Sequence, residues 1–323
     1  RHADEAHRQS EQGIGPLHGV PVAIKDIIET RDYPTENGCP LYSGNATGRD
    51  AACVAALRSA GAIILGKTVT TELALLTPSK THNPLDTSRS PGGSSAGSAA
   101  AVADHMVAGA LGSQTAGSVL RPASYCGIYG FKPTLGLISR SGVLMQSHTL
   151  DTLGVLARSI DDVALLSDCL SAQDPHDPVS YQRSQPRLLE IAKTKPPVSP
   201  KFAFVRTPAW EAHAHPGMQD AFVRLSDELG DNCEEIEIPD LERILEWQRI
   251  VQLAENAGYY GPLQDKGRSQ LSDGLNTRLD EGAKVPVRDY VDAIASRDKA
   301  YSGVAELFET YTAILTPASP GPA

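Results

Sequence analysis

The stretch Pro91-Gly92-Gly93-Ser94-Ser95-Ala96-Gly97-Ser98, continuing through alanines to Val102 and Ala103, constrains this chain more than any other. It combines glycine, serine and alanine without one bulky side chain, which suits a helix whose backbone presses closely against its neighbours. A helix over 94–104, set in a core, is therefore expected. A flexible linker would lead into polar sequence, whereas this stretch leads into an apolar Ala/Val segment. A glycine turn ahead of a helix can also cradle an anion, but the phosphate-loop pattern GxxxxGK[ST] is absent.

Around this helix, strand-like and helix-like segments alternate, as in a layered α/β fold. Val20 to Ile24 is a short β-rich run. Asp50 to Ala60 carries Ala52, Val54, Ala55 and Leu57 at helical spacing and is stopped by Gly61. Ala62 to Leu65 reads as a buried strand and Met106 to Leu111 as the next one. Ser159, three residues before Asp162, resembles a capping box with a shortened acid, and predicts a helix over about 160–170.

From Gln173 to Pro200 the composition shifts to Pro, Ser, Lys and Asp, which marks a loop or subdomain boundary. Beyond it, Met218, Phe222, Leu225 and Leu229 form one amphipathic helix, and Leu241, Ile244, Leu245, Val251 and Ala254 another. Phe202 to Val205 and Ala313 to Thr316 look like strands that return to a single sheet.

A length of 323 residues allows one large α/β domain or two ordinary ones. The formal charge of −10 argues against nucleic acid as a partner, because a phosphate backbone would be repelled. Asp227, Glu228, Asp231, Glu234, Glu235, Glu237, Asp240, Glu242 and Glu246 hold much of the excess and are expected to face water. The odd number of cysteines (Cys39, Cys53, Cys126, Cys169, Cys233) and their scatter read as buried thiols of a reducing compartment. No apolar run is long enough to span a bilayer, so no membrane partner and a cytoplasmic location are expected. Arg1 to Glu5 opens as if inside a polar helix.

Amide and carbamate bonds resist water, because resonance blunts the carbonyl and the amine leaves poorly. A serine hydrolase needs an activated hydroxyl, donors for the oxyanion and a proton for the departing nitrogen. Gly112-Ser113-Gln114-Thr115-Ala116-Gly117-Ser118 offers successive small residues whose N–H groups can converge on one oxyanion, with Ser118 as nucleophile. Lys25 ends the apolar run Val20 to Ile24; burial there would lower its proton affinity and make it a base near neutral pH. Alone, each segment also fits a tight turn or a lysine that snorkels to solvent. His213-Ala214-His215 lacks a third ligand, so no metal is expected.

Taken in order, Gly19 to Asp26, Pro91 to Ala101 and Gly112 to Thr134 resemble the characteristic blocks of the amidase signature family, convincingly over 15–170 and loosely beyond. The resemblance implies an α/β amidase signature fold: a large twisted mixed β-sheet covered by α-helices on both faces. On that basis residues 1–323 form a single domain, 15–170 its catalytic core and 171–310 a helix-rich insertion lining the substrate pocket. It implies a triad of Lys25 as neutral base, Ser94 as proton relay across a cis Gly93–Ser94 peptide, and Ser118 as nucleophile. The backbone N–H groups of Thr115, Ala116, Gly117 and Ser118 form the oxyanion hole, and Gly92, Gly93, Ser95, Gln114 and Arg121 support the site.

The implied activity is hydrolysis of small-molecule amides, with carbamates and esters as relatives. No metal or organic cofactor is required, and a homodimer is a candidate assembly. Tyr33, Tyr42, Leu76 and Met145 are candidate pocket residues. Ala116 stands where the family commonly has glycine, Gln114 where it often has aspartate, and Val155 where it often has proline. The family normally continues beyond Ala323 and often places helices before the lysine block, so a portion of a longer chain is expected. The alternatives are a non-catalytic scaffold that retains the fold and a glutamyl-tRNA amidotransferase A-type subunit.

Overall fold

The computed structural model describes residues 15–207, 209–238, 241 and 243–323. Their strands are β1 (Pro21–Lys25), β2 (Ile63–Thr68), β3 (Gly109–Gln114), β4 (Tyr129–Phe131), β5 (Thr152–Ala157), β6 (Phe202–Val205), β7 (Cys233–Ile236) and β8 (Ala313–Leu315). The helices are α1 (Ala52–Ser59), α2 (Ala96–Ala103), α3 (Leu120–Tyr125), α4 (Ile160–Leu170), α5 (Leu188–Lys193), α6 (Ala209–His213), α7 (Pro216–Leu229), α8 (Ile244–Gly267), α9 (Asp273–Gly282) and α10 (Val287–Leu307). The described residues divide into two compact units, one of 15–194 with 262–277 and 323, the other of 195–261 with 278–322.

In the first unit five strands lie in the order β2-β1-β3-β5-β4. β1 runs parallel to β2 and β3, while β5 is antiparallel to β3 and β4, so the sheet is mixed. Successive side chains of a strand point to opposite faces, and this alternation divides the core in two. Val22, Ile24, Leu111, Leu153 and Val155 pack with Val54 and Leu57 of α1 and Val163, Leu166 and Leu170 of α4. Ala23, Ala110 and Leu156 pack on the other face with Ala99 and Val102 of α2 and Ala123 of α3. With helices on both faces, β3 and β5 are buried along their whole length, as interior strands of a covered sheet are.

The expected small-residue helix is α2, and its Ala96–Val102 segment is wholly buried. Its composition follows from how near it lies to the sheet. A Cβ on Gly97 would fall 2.5 Å from the backbone nitrogen of Val69, and the Gly97 N–H donates to the Val69 carbonyl at 2.9 Å. Ser98 Oγ donates to the Leu111 carbonyl at 2.8 Å and lies 2.7 Å from Thr68 Oγ1, which fastens the helix to β2 and β3.

The second unit holds β6, flanked on both sides by parallel strands in the order β7-β6-β8. This corrects the expectation that 202–205 and 313–316 rejoin one sheet. Both edges of β6 are occupied, by Cys233–Ile236 and by Ala313–Leu315, so among the described residues it has no edge left for the five-stranded sheet. Phe204, Trp210 and Phe222 pack ring to ring beside it.

Several boundaries move. The strand expected at 106–111 begins at Gly109, with Met106 exposed, and the helix expected from Leu241 begins at Ile244. Of the acidic stretch, Asp227, Glu228, Asp231, Glu234, Glu235, Glu237 and Glu246 are exposed, while Asp240 and Glu242 lie outside the described residues, as does the polar helix expected at Arg1 to Glu5. All five cysteines are free thiols; Cys39, Cys53 and Cys126 are buried, but Cys169 and Cys233 are only half-buried. No helix among the described residues is long and apolar enough to cross a membrane.

The cap of α4 follows the sequence. Ser159 Oγ accepts from the Asp162 N–H at 3.0 Å and donates to the Asp162 carboxylate at 2.7 Å, so one hydroxyl satisfies an otherwise orphaned helix donor. Ser159→Ala should cost about 1 kcal/mol, read as a lowered urea midpoint with unchanged slope.

Candidate active site

Lys25 is the last residue of β1, and its side chain is fully buried where the central strands end. Its Nζ donates to Ser94 Oγ at 2.6 Å and to Ser113 Oγ at 2.8 Å. Alternation along β1 puts Lys25 on the face of Ala23, the side covered by α2, whose N-terminal segment delivers Ser94. Burial pushes the amine down to about 7, opposed by the charge of Asp151.

Ser94 is fixed through its backbone. The Gly93–Ser94 peptide is cis, and the Ser94 carbonyl accepts from the Thr71 N–H and Thr70 Oγ1, both at 3.3 Å. Thr71 opens a turn at Glu72–Ala74 in which Leu73 (φ 47) and Ala74 (φ 58) both adopt the left-handed region that side chains disfavour. Such backbone persists only where neighbours over-determine it. Here the Leu73 N–H donates to the Asn37 carbonyl at 2.9 Å, and Gln146 Nε2 to the Ala74 carbonyl at 3.3 Å.

Ser95 ties the two serine-bearing segments together. Its N–H donates to the Ser118 carbonyl at 3.4 Å, and its Oγ accepts from the Ser113 N–H at 3.2 Å and donates to the Ser113 carbonyl at 3.3 Å. Gly112 makes room for this: a Cβ there would lie 2.8 Å from Ser95 Oγ.

The turn after β3 carries Thr115 to Ser118. Gln114 is buried, and its Oε1 accepts from the N–H groups of Val119 (2.8 Å) and Leu120 (3.0 Å), which caps the start of α3 and closes the turn. The N–H groups of Thr115, Ala116, Gly117 and Ser118 meet no acceptor among the described residues. Arg121 donates its N–H to the Gly117 carbonyl at 2.9 Å and lays its guanidinium against Gly117. Thr115 Oγ1 donates to Asp151 Oδ1 at 2.6 Å.

The structure therefore joins Lys25 directly to Ser94, and the Ser94-Ser95 segment to the Ser118 backbone. Ser118 is half-buried, and its Oγ makes no hydrogen bond among the described residues. Gly92 and Gly93 lead into the cis peptide. Met145 lines a cavity of about 10 Å³ with Ser113, Arg140, Gln146, Asp151 and Thr152. Leu76 is exposed, Tyr42 is half-buried, and the exposed Tyr33 donates its hydroxyl to the Leu65 carbonyl. His215 caps α7, its Nδ1 accepting from the Gly217 N–H at 3.1 Å.

Two residues were not singled out from sequence: Ser113 as second partner of Lys25, and Asp151 behind the turn. Ser113 shares its strand parity with Leu111, which packs on the other face of the sheet, so alternation alone separates it from Lys25. Its one signal was a hydroxyl that follows the small and apolar run Gly109 to Gly112.

A covered mixed sheet with a buried lysine–serine pair at its end defines a class of protein, and the comparisons with known proteins name it. The family model described as Amidase matches residues 1–323, and the chain belongs to this family, whose members act on C–N bonds. It is 38% identical over 252 residues to the A-type subunit of glutamyl-tRNA(Gln) amidotransferase from Thermobifida fusca, in an alignment that covers 75% of this chain and 50% of that relative. The chain thus spans half the length of that relative.

Among solved structures, it matches one of a vestigial protein complex that bears on the origins of an s-triazine catabolic enzyme. The TM-score is 0.90 at 28% identity, covering 99% of this chain and 71% of that one. A crystal structure of an amidase matches with a TM-score of 0.82 at 29% identity, covering 98% and 70%.

The buried amine has a consequence for stability. Its folded pKa lies below the unfolded value of 10.5, so between about 7 and 10.5 the unfolded chain binds the extra proton and stability rises with pH. Below about 7 both states are protonated and the slope vanishes. The stability of wild type relative to Lys25→Met should climb by up to about 1.4 kcal/mol per pH unit across that window, measured by urea unfolding from pH 6 to 10; a flat difference would contradict a depressed Lys25.

Proposed function

We propose that this chain is a serine amidohydrolase that cleaves C–N bonds of small-molecule amides, with Ser118 as nucleophile, Ser94 as relay and Lys25 as general base. The observation that carries this reading is the fully buried amine of Lys25, 2.6 Å from Ser94 Oγ. An amine near 7 is neutral in a large fraction of molecules at physiological pH, which is the form a base requires.

In the neutral amine one N–H donates to Ser113 Oγ and the lone pair accepts from Ser94 Oγ–H. Ser94 Oγ takes the Ser118 proton as Ser118 Oγ attacks the carbonyl carbon, passing its own proton to Lys25. The N–H groups of Thr115, Ala116, Gly117 and Ser118, which meet no acceptor among the described residues, receive the oxyanion. Collapse of the tetrahedral intermediate breaks the C–N bond, and the proton returns from Lys25 through Ser94 to the leaving nitrogen. Water then attacks the Ser118 ester, delivers its proton by the same route and restores the Ser118 hydroxyl. Gly92, Gly93, Ser95, Gln114 and Arg121 hold the two segments in place. The same acyl chemistry extends to carbamates and esters, and no step calls for a metal or organic cofactor.

A second reading is favoured by the likeness to A-type amidotransferase subunits: the same centre would release ammonia from an amide inside a complex with partner subunits. Turnover of simple amides by the isolated chain supports the first reading, and turnover only with partner subunits supports the second.

Ser118→Ala should abolish both amide turnover and labelling by a fluorophosphonate probe; retention of either contradicts the nucleophile. The profile of kcat/KM against pH should rise through an apparent pKa near 7, as Lys25 loses its proton. Lys25→Ala should cost amide hydrolysis about 10²- to 10⁴-fold and ester hydrolysis less, because an alkoxide leaves more readily than an amine. Equal losses on matched amide and ester substrates would remove the acid role of the lysine.

A further inference from the structure

Asp151 lies just before β5, 33 residues beyond Ser118 in sequence, and is buried. Both its oxygens are engaged. Oδ1 accepts from Thr115 Oγ1 at 2.6 Å, and Oδ2 accepts from the N–H groups of Gln146 (2.8 Å) and Ser147 (3.0 Å). Thr115 is the first residue of the turn that ends in Ser118, so this carboxylate grips that turn from behind.

Among the described residues, Arg140 is the charged side chain that acts on Asp151. Arg140 donates from Nη1 to the Asp151 backbone carbonyl at 3.1 Å, but its guanidinium is ion-paired with the buried Asp177 at 3.0 Å. Asp26, next to Lys25 in sequence, is taken up by Lys67 at 2.9 Å. Among the described residues, Asp151 is the charge that opposes the depression of the Lys25 amine. On balance burial raises the Asp151 carboxyl above its ordinary range, with the three donors and Arg140 pulling against it. Two N–H groups on one oxygen and a hydroxyl on the other leave it as the acceptor a carboxylate is.

The cavity of about 10 Å³ is lined by both Asp151 and Ser113, the second partner of Lys25. It has room for about one water, and charges buried as Lys25 and Asp151 are interact more strongly than the same charges in water.

We infer that Asp151 is a positioning residue of the hydrolytic centre: its carboxylate fixes the nucleophile turn through the Thr115 hydroxyl and presents its charge to the buried amine of Lys25. The inference rests on the assignment of Lys25 and Ser118 proposed above. Through the turn, Asp151 aims the N–H groups that receive the oxyanion. Through its charge, it keeps Lys25 basic enough to take a proton, where burial alone would leave a weaker base.

Two substitutions separate these effects. In Asp151→Asn the amide can present its oxygen to the Gln146 and Ser147 N–H groups and its NH₂ to Thr115 Oγ1, with the hydroxyl turned to accept; contacts are kept and the charge is lost. In Thr115→Val the charge stays and the tie to the turn is lost. The measurement is kcat and KM on one chromogenic amide from pH 5 to 9.

Asp151→Asn should move the rising limb of kcat/KM to lower pH by about half a unit or more. Thr115→Val should leave the limb in place and lower kcat about tenfold or more with KM little changed. A limb that does not move in a folded, active Asp151→Asn overturns the electrostatic role. Wild-type kcat in Thr115→Val overturns the positioning role, and does so even if Asp151→Asn fails to fold. Failure of the underlying hydrolase assignment shows separately: wild type would then lack a limb near 7, or Ser118→Ala would still take the fluorophosphonate label.

Discussion

An ammonium group taken from water into a protein interior is unstable unless its surroundings satisfy it or let it shed its proton. At the end of β1 the structure does both. Lys25 is fully buried, two serine hydroxyls receive its Nζ, and the amine falls to about 7. Those hydroxyls come from different places: Ser94 from the segment leading into α2 on one face of the sheet, Ser113 from the neighbouring strand β3. Backbone held by Thr70, Thr71 and Ser95 exists to bring them within 3 Å of a single nitrogen. The requirement to satisfy one buried amine thus organises three stretches of chain that are remote in sequence.

The second constraint is distance between backbones. The segment leading into α2 can lie this close to the sheet only if the intervening side chains are nearly absent, and Gly97, Ala99 and Gly112 mark where that is so. Hydroxyls then replace bulk as the means of attachment: Ser98 and Thr68 fasten α2, and Ser95 fastens both serine-bearing segments to each other. Small hydroxylated residues therefore serve packing and site geometry at once. The bulky apolar residues are displaced to the opposite face, where α1 and α4 supply Val54, Leu57, Val163 and Leu166.

A histidine-based hydrolase obtains its base from a side chain that already titrates near neutral pH. A lysine must be brought there by burial, which couples the proton affinity of the base to the integrity of the core. In the proposed centre this coupling gives Asp151 its part, although it lies behind the turn that carries Ser118 rather than in it. Gln114 closes the turn as a neutral side chain, accepting two N–H groups through its amide oxygen.

Much of the local structure was legible in the residues themselves. The composition of Ala96 to Ala103 required close packing, Ser159 and Asp162 announced the start of α4, and the acidic stretch around Glu234 faces water as charge runs do. Lys25, Ser94 and Ser118 were recognisable as a set only through resemblance to a family, because each alone fits an ordinary lysine or turn serine. What sequence determined is what depends on neighbours a few residues away: period, capping and side-chain size. Tertiary structure decided what depends on which strand lies beside which. β6 and β8 have the same apolar pattern as strands of the first sheet, yet they pair with each other, with β7 on the other edge of β6, because pattern encodes burial and not the partner. Ser113 reaches Lys25 and Asp151 grips Thr115 for the same reason: hydrogen bonds across strands and loops are set by register and by chain crossing, which no local pattern records.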